Sequence, residues 1–198
     1  MSPGNGPPSG RAARIMLCIW AAFAAASVAL GLERESSLDD SSVILAAVAR
    51  LVIFLACAAS VLTWINRAQR NVRALGATEM MVSPGLAVGW FFIPLGNLVM
   101  PFLAMRELWK ASTNPRDWQL VPQPIMLPVW WTLWIASNVA EIVAFRLTSE
   151  PDAEAVRVGE TVAAGADLLS MGAALALAWI IAGVAKRQAA VRIEGVFD

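Results

Sequence analysis

GWFFIPLGNLVMPFLAMRELWKAS, residues Gly89 to Ser112, is the stretch on which the fold turns. It begins as an apolar membrane segment, is broken by Pro94 and Pro101 with Gly96 and Asn97 between them, and continues without a polar gap into a charged helical pattern. A proline inside a helix deletes one backbone hydrogen bond and crowds the carbonyl four residues back, here those of Trp90 and Asn97. In lipid those carbonyls need partners from protein or from a cavity. The stretch therefore belongs inside a bundle, and the other apolar runs read as its housing.

Four such runs follow from the sequence: Ile15 to Leu32, Val43 to Ile65, Met126 to Leu147 and Val162 to Ala185. Each approaches the roughly 20 apolar residues that cross a bilayer core. With 198 residues, 58% of them hydrophobic and only 15% charged, the composition is that of an integral membrane protein. The fold class expected is all-α, a polytopic membrane helical bundle forming a single transmembrane domain over residues 11–198. Residues 1–10, MSPGNGPPSG, carry no apolar face and are expected to be a disordered tail. Arg11 and Arg14 ahead of the first run mark an uncleaved signal anchor rather than a cleaved leader.

Charge orients the runs. Glu33, Glu35, Asp39 and Asp40 fill the first loop, and Glu150, Asp152, Glu154 and Glu160 fill the loop after Leu147. Basic residues collect elsewhere: Arg67, Arg70 and Arg73 on one edge of a short helix in the next loop, Arg106, Lys110 and Arg116 after the broken stretch, Lys186, Arg187 and Arg192 in the tail. Short cytoplasmic loops gather Lys and Arg, which places both termini inside and the two acidic loops outside. That assignment requires the chain to enter and leave residues 86–105 on one side. The segments Leu86 to Ile93 and Leu95 to Met100 would each cover only about a third of a core roughly 30 Å thick. A re-entrant hairpin with its tip near Gly96 and Asn97 satisfies both constraints. A fifth span kinked at Pro94 is the alternative. Trp20, Trp64, Trp109, Trp118, Trp130, Trp131 and Trp179 then lie near the inner face, where indole rings settle at headgroup level.

Several chemistries lose their residues. The chain has no His, so the commonest general base and metal ligand is absent. No nucleophile motif, metal-ligand cluster or glycine-rich phosphate loop appears, and no catalytic, cofactor-binding or metal site is expected. A formal net charge of zero argues against a nucleic-acid partner. Cys18 and Cys57, both in apolar runs, read as small packing residues.

Three ionisable residues remain inside spans, Arg50, Glu141 and Asp167. All lie about 8 to 12 Å below the outer ends of their helices. A lone charge at helix centre costs about 2.5 to 3.5 kcal/mol on insertion scales, so a shared depth implies that they meet. Ser137, Asn138 and Ser170 sit on the same helical faces. The cluster reads either as a proton or small-ion site or as a buried pair that sets helix register. Ala166, Ser170, Ala174, Ala178 and Ala182 form a small-residue stripe on the last span, suited to close packing within the chain, and Gly85 and Gly89 a shorter one. Arg67, Arg70, Arg73, Arg106 and Lys110 are candidates to meet anionic lipid. MRELWKAS, with Met105, Leu108 and Trp109 apolar, reads as a helix lying along the membrane interface.

Asn71, Ser83, Pro84, Trp90, Pro94, Asn97, Leu98, Pro101, Arg106, Glu107, Leu108, Trp109, Ser112, Trp130 and Trp131 together resemble the bacterial membrane family called domain of unknown function 4328. The resemblance covers residues 64–185 or so. It implies a bacterial integral membrane protein with helices around the proline-broken stretch, and it implies no activity. Within it, Trp90, Pro94, Asn97, Pro101, Arg106, Glu107 and Trp109 form the structural motif; Arg50, Glu141 and Asp167 lie outside the pattern. The expectation is a multi-pass protein of the bacterial cytoplasmic membrane whose partners are the lipid bilayer, further copies of itself or another membrane protein. Its expected function is that of a non-enzymatic scaffold or partner subunit. The alternative is a small proton- or ion-coupled transporter that uses the Arg50, Glu141 and Asp167 cluster.

Overall fold

A computed structural model describes residues 9–30 and 40–194. Most of the expected N-terminal tail, and Glu33, Glu35 and Asp39 of the first acidic loop, lie outside the described residues. The elements are α1 (Arg11–Leu30), α2 (Asp40–Ala74), α3 (Pro84–Gly89), α4 (Met100–Thr113), α5 (Met126–Thr148) and α6 (Ala153–Glu194). Short 3-10 turns occupy Trp90–Phe92, Gly96–Leu98 and Trp118–Leu120, and no strand occurs among the described residues. The protein is an all-α helical bundle. Four of the helices, α1, α2, α5 and α6, are long and apolar enough to cross a membrane.

Two of the helices run further than their apolar cores. Residues 66–74, expected as a separate short helix in a basic loop, continue α2 to Ala74. No glycine or proline interrupts that sequence until Gly76, where φ reaches +103°. There the Ala77 amide donates to the Val72 carbonyl and the Gly76 amide to the Arg73 carbonyl. This paired closure needs a left-handed residue, which glycine supplies without a Cβ penalty. At the other loop, α6 starts at Ala153, so Glu154, Arg157 and Glu160 are helical rather than loop residues. The Asp152 carboxylate accepts from the Ala155 amide at 3.1 Å and caps the helix, and Arg157 pairs with Glu154 one turn away.

The described chain divides into two compact units. One comprises residues 9–14, 58–128 and 177–194; the other comprises residues 15–30, 40–57 and 129–176. The first contains the broken stretch. Neither of its prolines sits in a helix interior, contrary to the sequence reading. Pro101 occupies the first turn of α4, where no intrahelical N–H is required, and Pro94 lies between two 3-10 turns. The backbone satisfies itself through those turns: Asn97 N–H donates to Ile93 at 2.7 Å, Val99 to Gly96 at 3.2 Å and Ile93 to Trp90 at 3.4 Å. Phe92, Ile93, Leu95, Leu98 and Val99 are nevertheless exposed. On either side of the stretch the chain touches itself, with the Trp118 indole Nε1 donating to the Thr78 carbonyl at 2.9 Å. No continuous helix spans residues 86–105, and α4, the longest helix of the stretch, has 14 residues.

α4, expected along the membrane interface, turns its apolar face to protein. Ala104, Met105, Leu108, Trp109, Ala111 and Ser112 are buried within the first unit. Its apolar face is spent on protein packing, which leaves little to face lipid. The tryptophans divide in the same way. Trp64, Trp109 and Trp130 are buried rather than at a surface belt, whereas Trp179 is half exposed. The second unit carries the broad apolar exterior a bilayer demands: Leu45, Val48, Leu51, Val52, Phe54 and Leu55 of α2 and Ile142, Val143 and Phe145 of α5 are all exposed.

Candidate functional site

Within the second unit the structure brings Arg50, Glu141 and Asp167 together. Arg50 Nη2 lies 2.6 Å from Glu141 Oε1 and 2.8 Å from Asp167 Oδ1, and Nη1 donates to Asp167 Oδ2 at 3.2 Å. The fork of the guanidinium thus engages Asp167 through both nitrogens, the geometry in which arginine binds carboxylate best. Exposure at the bundle surface separates the two acids. The Asp167 side chain is 1% exposed and that of Glu141 46%. Trp20 of α1 walls the group, with the Arg50 guanidinium 5.7 Å from its ring and its Nε1 donating to Ser170 Oγ at 2.8 Å.

The four long helices are therefore tied at one level of the second unit. Their other polar residues do not extend the site. Ser137 Oγ and Asn138 Nδ2 both donate to the Trp134 carbonyl of their own helix. Of the small-residue stripe, Ala166 and Ala174 are buried within this unit, and Ser170 receives the Trp20 indole. Gly85 and Gly89 of the first unit, by contrast, have no described atom within 4 Å of a would-be side chain.

The first unit holds a second polar constellation, built on the motif residues. Glu107, 4% exposed, accepts from the backbone N–H of Met81 at 3.1 Å and of Val82 at 3.3 Å. Arg73 donates to the Val82 carbonyl at 2.6 Å and to both oxygens that Gln69 offers, backbone and side chain. Gln69 in turn donates to the Ala104 carbonyl at 3.0 Å. Loop 77–83 is thereby clamped between the end of α2 and the middle of α4. Gln188 of α6 closes the third side. Its amide nitrogen reaches the Ala68 carbonyl and Ser112 Oγ, and its oxygen accepts from Asn71 at 2.8 Å.

Trp109 completes this arrangement. Its ring stacks on Trp179 at 5.5 Å and carries the Arg187 guanidinium at 3.9 Å on a face, a cation–π contact. A Cβ at Gly183 would lie 2.6 Å and 2.7 Å from that ring, so only glycine lets α6 come this close. Trp90 lies with its ring against Gly96 in the broken stretch. Asn97 Oδ1 and Arg106 Nε, both motif atoms, are buried without a hydrogen-bond partner. Lys110 donates to the Gln119 carbonyl at 3.0 Å.

Reading the sequence missed Gln69, Gln188, Arg187 and Gly183. The expected span ends at Ala185 with Arg187 in a basic tail, yet α6 continues to Glu194 and carries Arg187 and Gln188 in its next turn. Gln69 and Arg73 stand four residues apart on a helix, the one signal that linked them. Among the described residues no group of His, Cys, Asp or Glu is placed to hold a metal.

No curated protein and no solved structure gives a match to this chain. A family model does, over residues 29–186, beginning well before the 64–185 region in which the motif was recognised. The matched range takes in Arg50, Glu141 and Asp167 and, of the clamp, Gln69, Arg73 and Glu107, and stops short of Gln188. The chain belongs to the family described as domain of unknown function 4328.

Proposed function

We propose that this is a non-enzymatic integral membrane protein, a scaffold or partner subunit that presents a rigid helical frame. The observation that carries the reading is that the two polar clusters, around Arg50 and around Glu107, are spent on the frame itself. Arg50 is held by both carboxylates, and Glu107, Arg73, Gln69 and Gln188 satisfy backbone groups and one another. A catalytic group needs an open position towards a substrate. The proposed setting is the cytoplasmic membrane of a bacterium, with both termini inside and residues 86–105 re-entering. The bias of Arg and Lys supports that orientation. The exposed apolar side chains and internally bonded turns around Pro94 are what a tip inserted in lipid requires, and the Thr78 to Trp118 contact favours entry and exit on one side.

One observation favours a second reading, proton- or ion-coupled transport. The triad has one cation for two acids, and Glu141 is its exposed member. The two readings part in reconstituted vesicles carrying a trapped pH dye. For a scaffold, wild type and Glu141→Gln behave like empty vesicles under an imposed proton or cation gradient. Flux in wild type that Glu141→Gln abolishes would replace the scaffold with the carrier.

A further inference from the structure

An open groove of about 490 Å³ runs along α2 in the first unit, lined by residues that include Ala59, Leu62, Asn66, Arg67 and Arg70, with Val88 of α3 opposite. These α2 positions recur at three and four residues and so share one helix face. From Ala59 to Arg70 they cover about 16 Å along the axis. Along α2 the lining changes character, from Ala59 and Leu62, with the Thr63 side chain beside them, to the cationic Arg67 and Arg70, and Val88 adds a further apolar wall. The wall opposite is held in place, because Asn66 Nδ2 donates to the Pro84 carbonyl at the start of α3.

The two arginines differ from their neighbour. Arg73 is consumed by Gln69 and Val82. Arg67 and Arg70 are exposed, and among the described residues neither side chain makes a hydrogen bond or ion pair. The sequence reading grouped five basic residues as equivalent candidates for anionic lipid. The structure separates them: only these two stand together, unspent, at the end of an apolar groove.

We infer that this groove binds one anionic phospholipid, with its phosphate between Arg67 and Arg70 and an acyl chain along Ala59, Leu62 and Val88. Guanidinium groups match phosphate oxygens in planar, bidentate fashion. A free anion uses only the cationic end, and an uncharged lipid only the apolar one. An amphiphile with one negative headgroup matches both, in the order in which they occur along α2. The site is independent of whether the protein is a scaffold or a carrier.

The test is retention of phosphatidylglycerol against phosphatidylcholine by the purified full chain, read by native mass spectrometry from mixed micelles. Wild type should keep one phosphatidylglycerol in preference to phosphatidylcholine. Arg67→Gln with Arg70→Gln should weaken that retention by about tenfold to thirtyfold, from the loss of two basic contacts. Ala59→Trp, which fills the apolar end and leaves both charges, should weaken it too. Arg116→Gln with Lys186→Gln removes the same charge elsewhere and should leave it unchanged. Equal retention of the two lipids by wild type overturns the site, as does an equal loss in the Arg116 and Lys186 variant. Undiminished binding in Ala59→Trp, or displacement of the lipid by inorganic phosphate, also overturns it.

Discussion

The indole nitrogen of Trp118 lies 2.9 Å from the carbonyl oxygen of Thr78, so residues on opposite sides of the proline-broken stretch are in contact. The re-entrant reading makes this a statement about topology. Single cysteines at Thr78 and Thr113, in a Cys18→Ala and Cys57→Ala background, should both resist a membrane-impermeant thiol reagent in intact cells. Both should label after permeabilisation. Labelling of Thr113 alone from outside would mean a fifth crossing.

Glu107 is the acceptor for two buried amides, those of Met81 and Val82. Glu107→Ala strands both donors, and an unmade buried hydrogen bond costs about 1 to 3 kcal/mol. We expect a loss of about 2 to 4 kcal/mol, seen as a lower midpoint in thermal unfolding of the detergent-solubilised protein. Glu107→Gln retains one acceptor and should lose about half as much. Faster amide exchange confined to residues 77–83 would show the clamp itself opening. An unchanged midpoint in Glu107→Ala would remove the clamp from the account.

Gly183 is where α6 passes the Trp109 ring. The ring has nowhere to go, since Trp179 stacks on it and Arg187 lies over it. Gly183→Ala should therefore destabilise, although alanine favours helix over glycine by about 1 kcal/mol. Overpacking of this kind costs about 1 to 3 kcal/mol. Gly165→Ala, on the same helix with no atom within 4 Å of the new methyl, is the control and should stabilise or change nothing. Equal midpoints for the two variants would contradict the close approach.

The triad predicts an order of effects. Asp167 is enclosed and bound through two nitrogens, so Arg50→Met leaves it a buried charge without its partner, a change that costs about 3 to 5 kcal/mol. Glu141, with nearly half its side chain at the bundle surface, should matter less, because Glu141→Gln leaves the paired contact between Arg50 and Asp167 in place. Replacing Arg50 and Asp167 together by apolar residues should recover much of the single loss. Midpoints of the two singles and the double, in one detergent, check both the order and the recovery.

The sequence alone determined the architecture of this protein. Apolar runs of that length are long enough to cross a bilayer as helices, in which the backbone bonds itself within the segment. It also brought three charges to one depth, since the cost of a lone charge in an apolar span makes a shared level a near-contact. The family motif was legible too, through Trp90, Asn97, Glu107 and Trp109. What the motif does was not. Glu107 reads as a surface charge on an amphipathic helix until the Met81 and Val82 amides are seen against it. Gln188 and Gly183 carry no sign of their partners, which come from α2 and α4 and stand far away in sequence. Even the prolines misled, because a residue that breaks a helix is harmless at Pro101, where a helix begins. Periodicity reports which side of a helix avoids water; only the packed chain decides what lies on the other side.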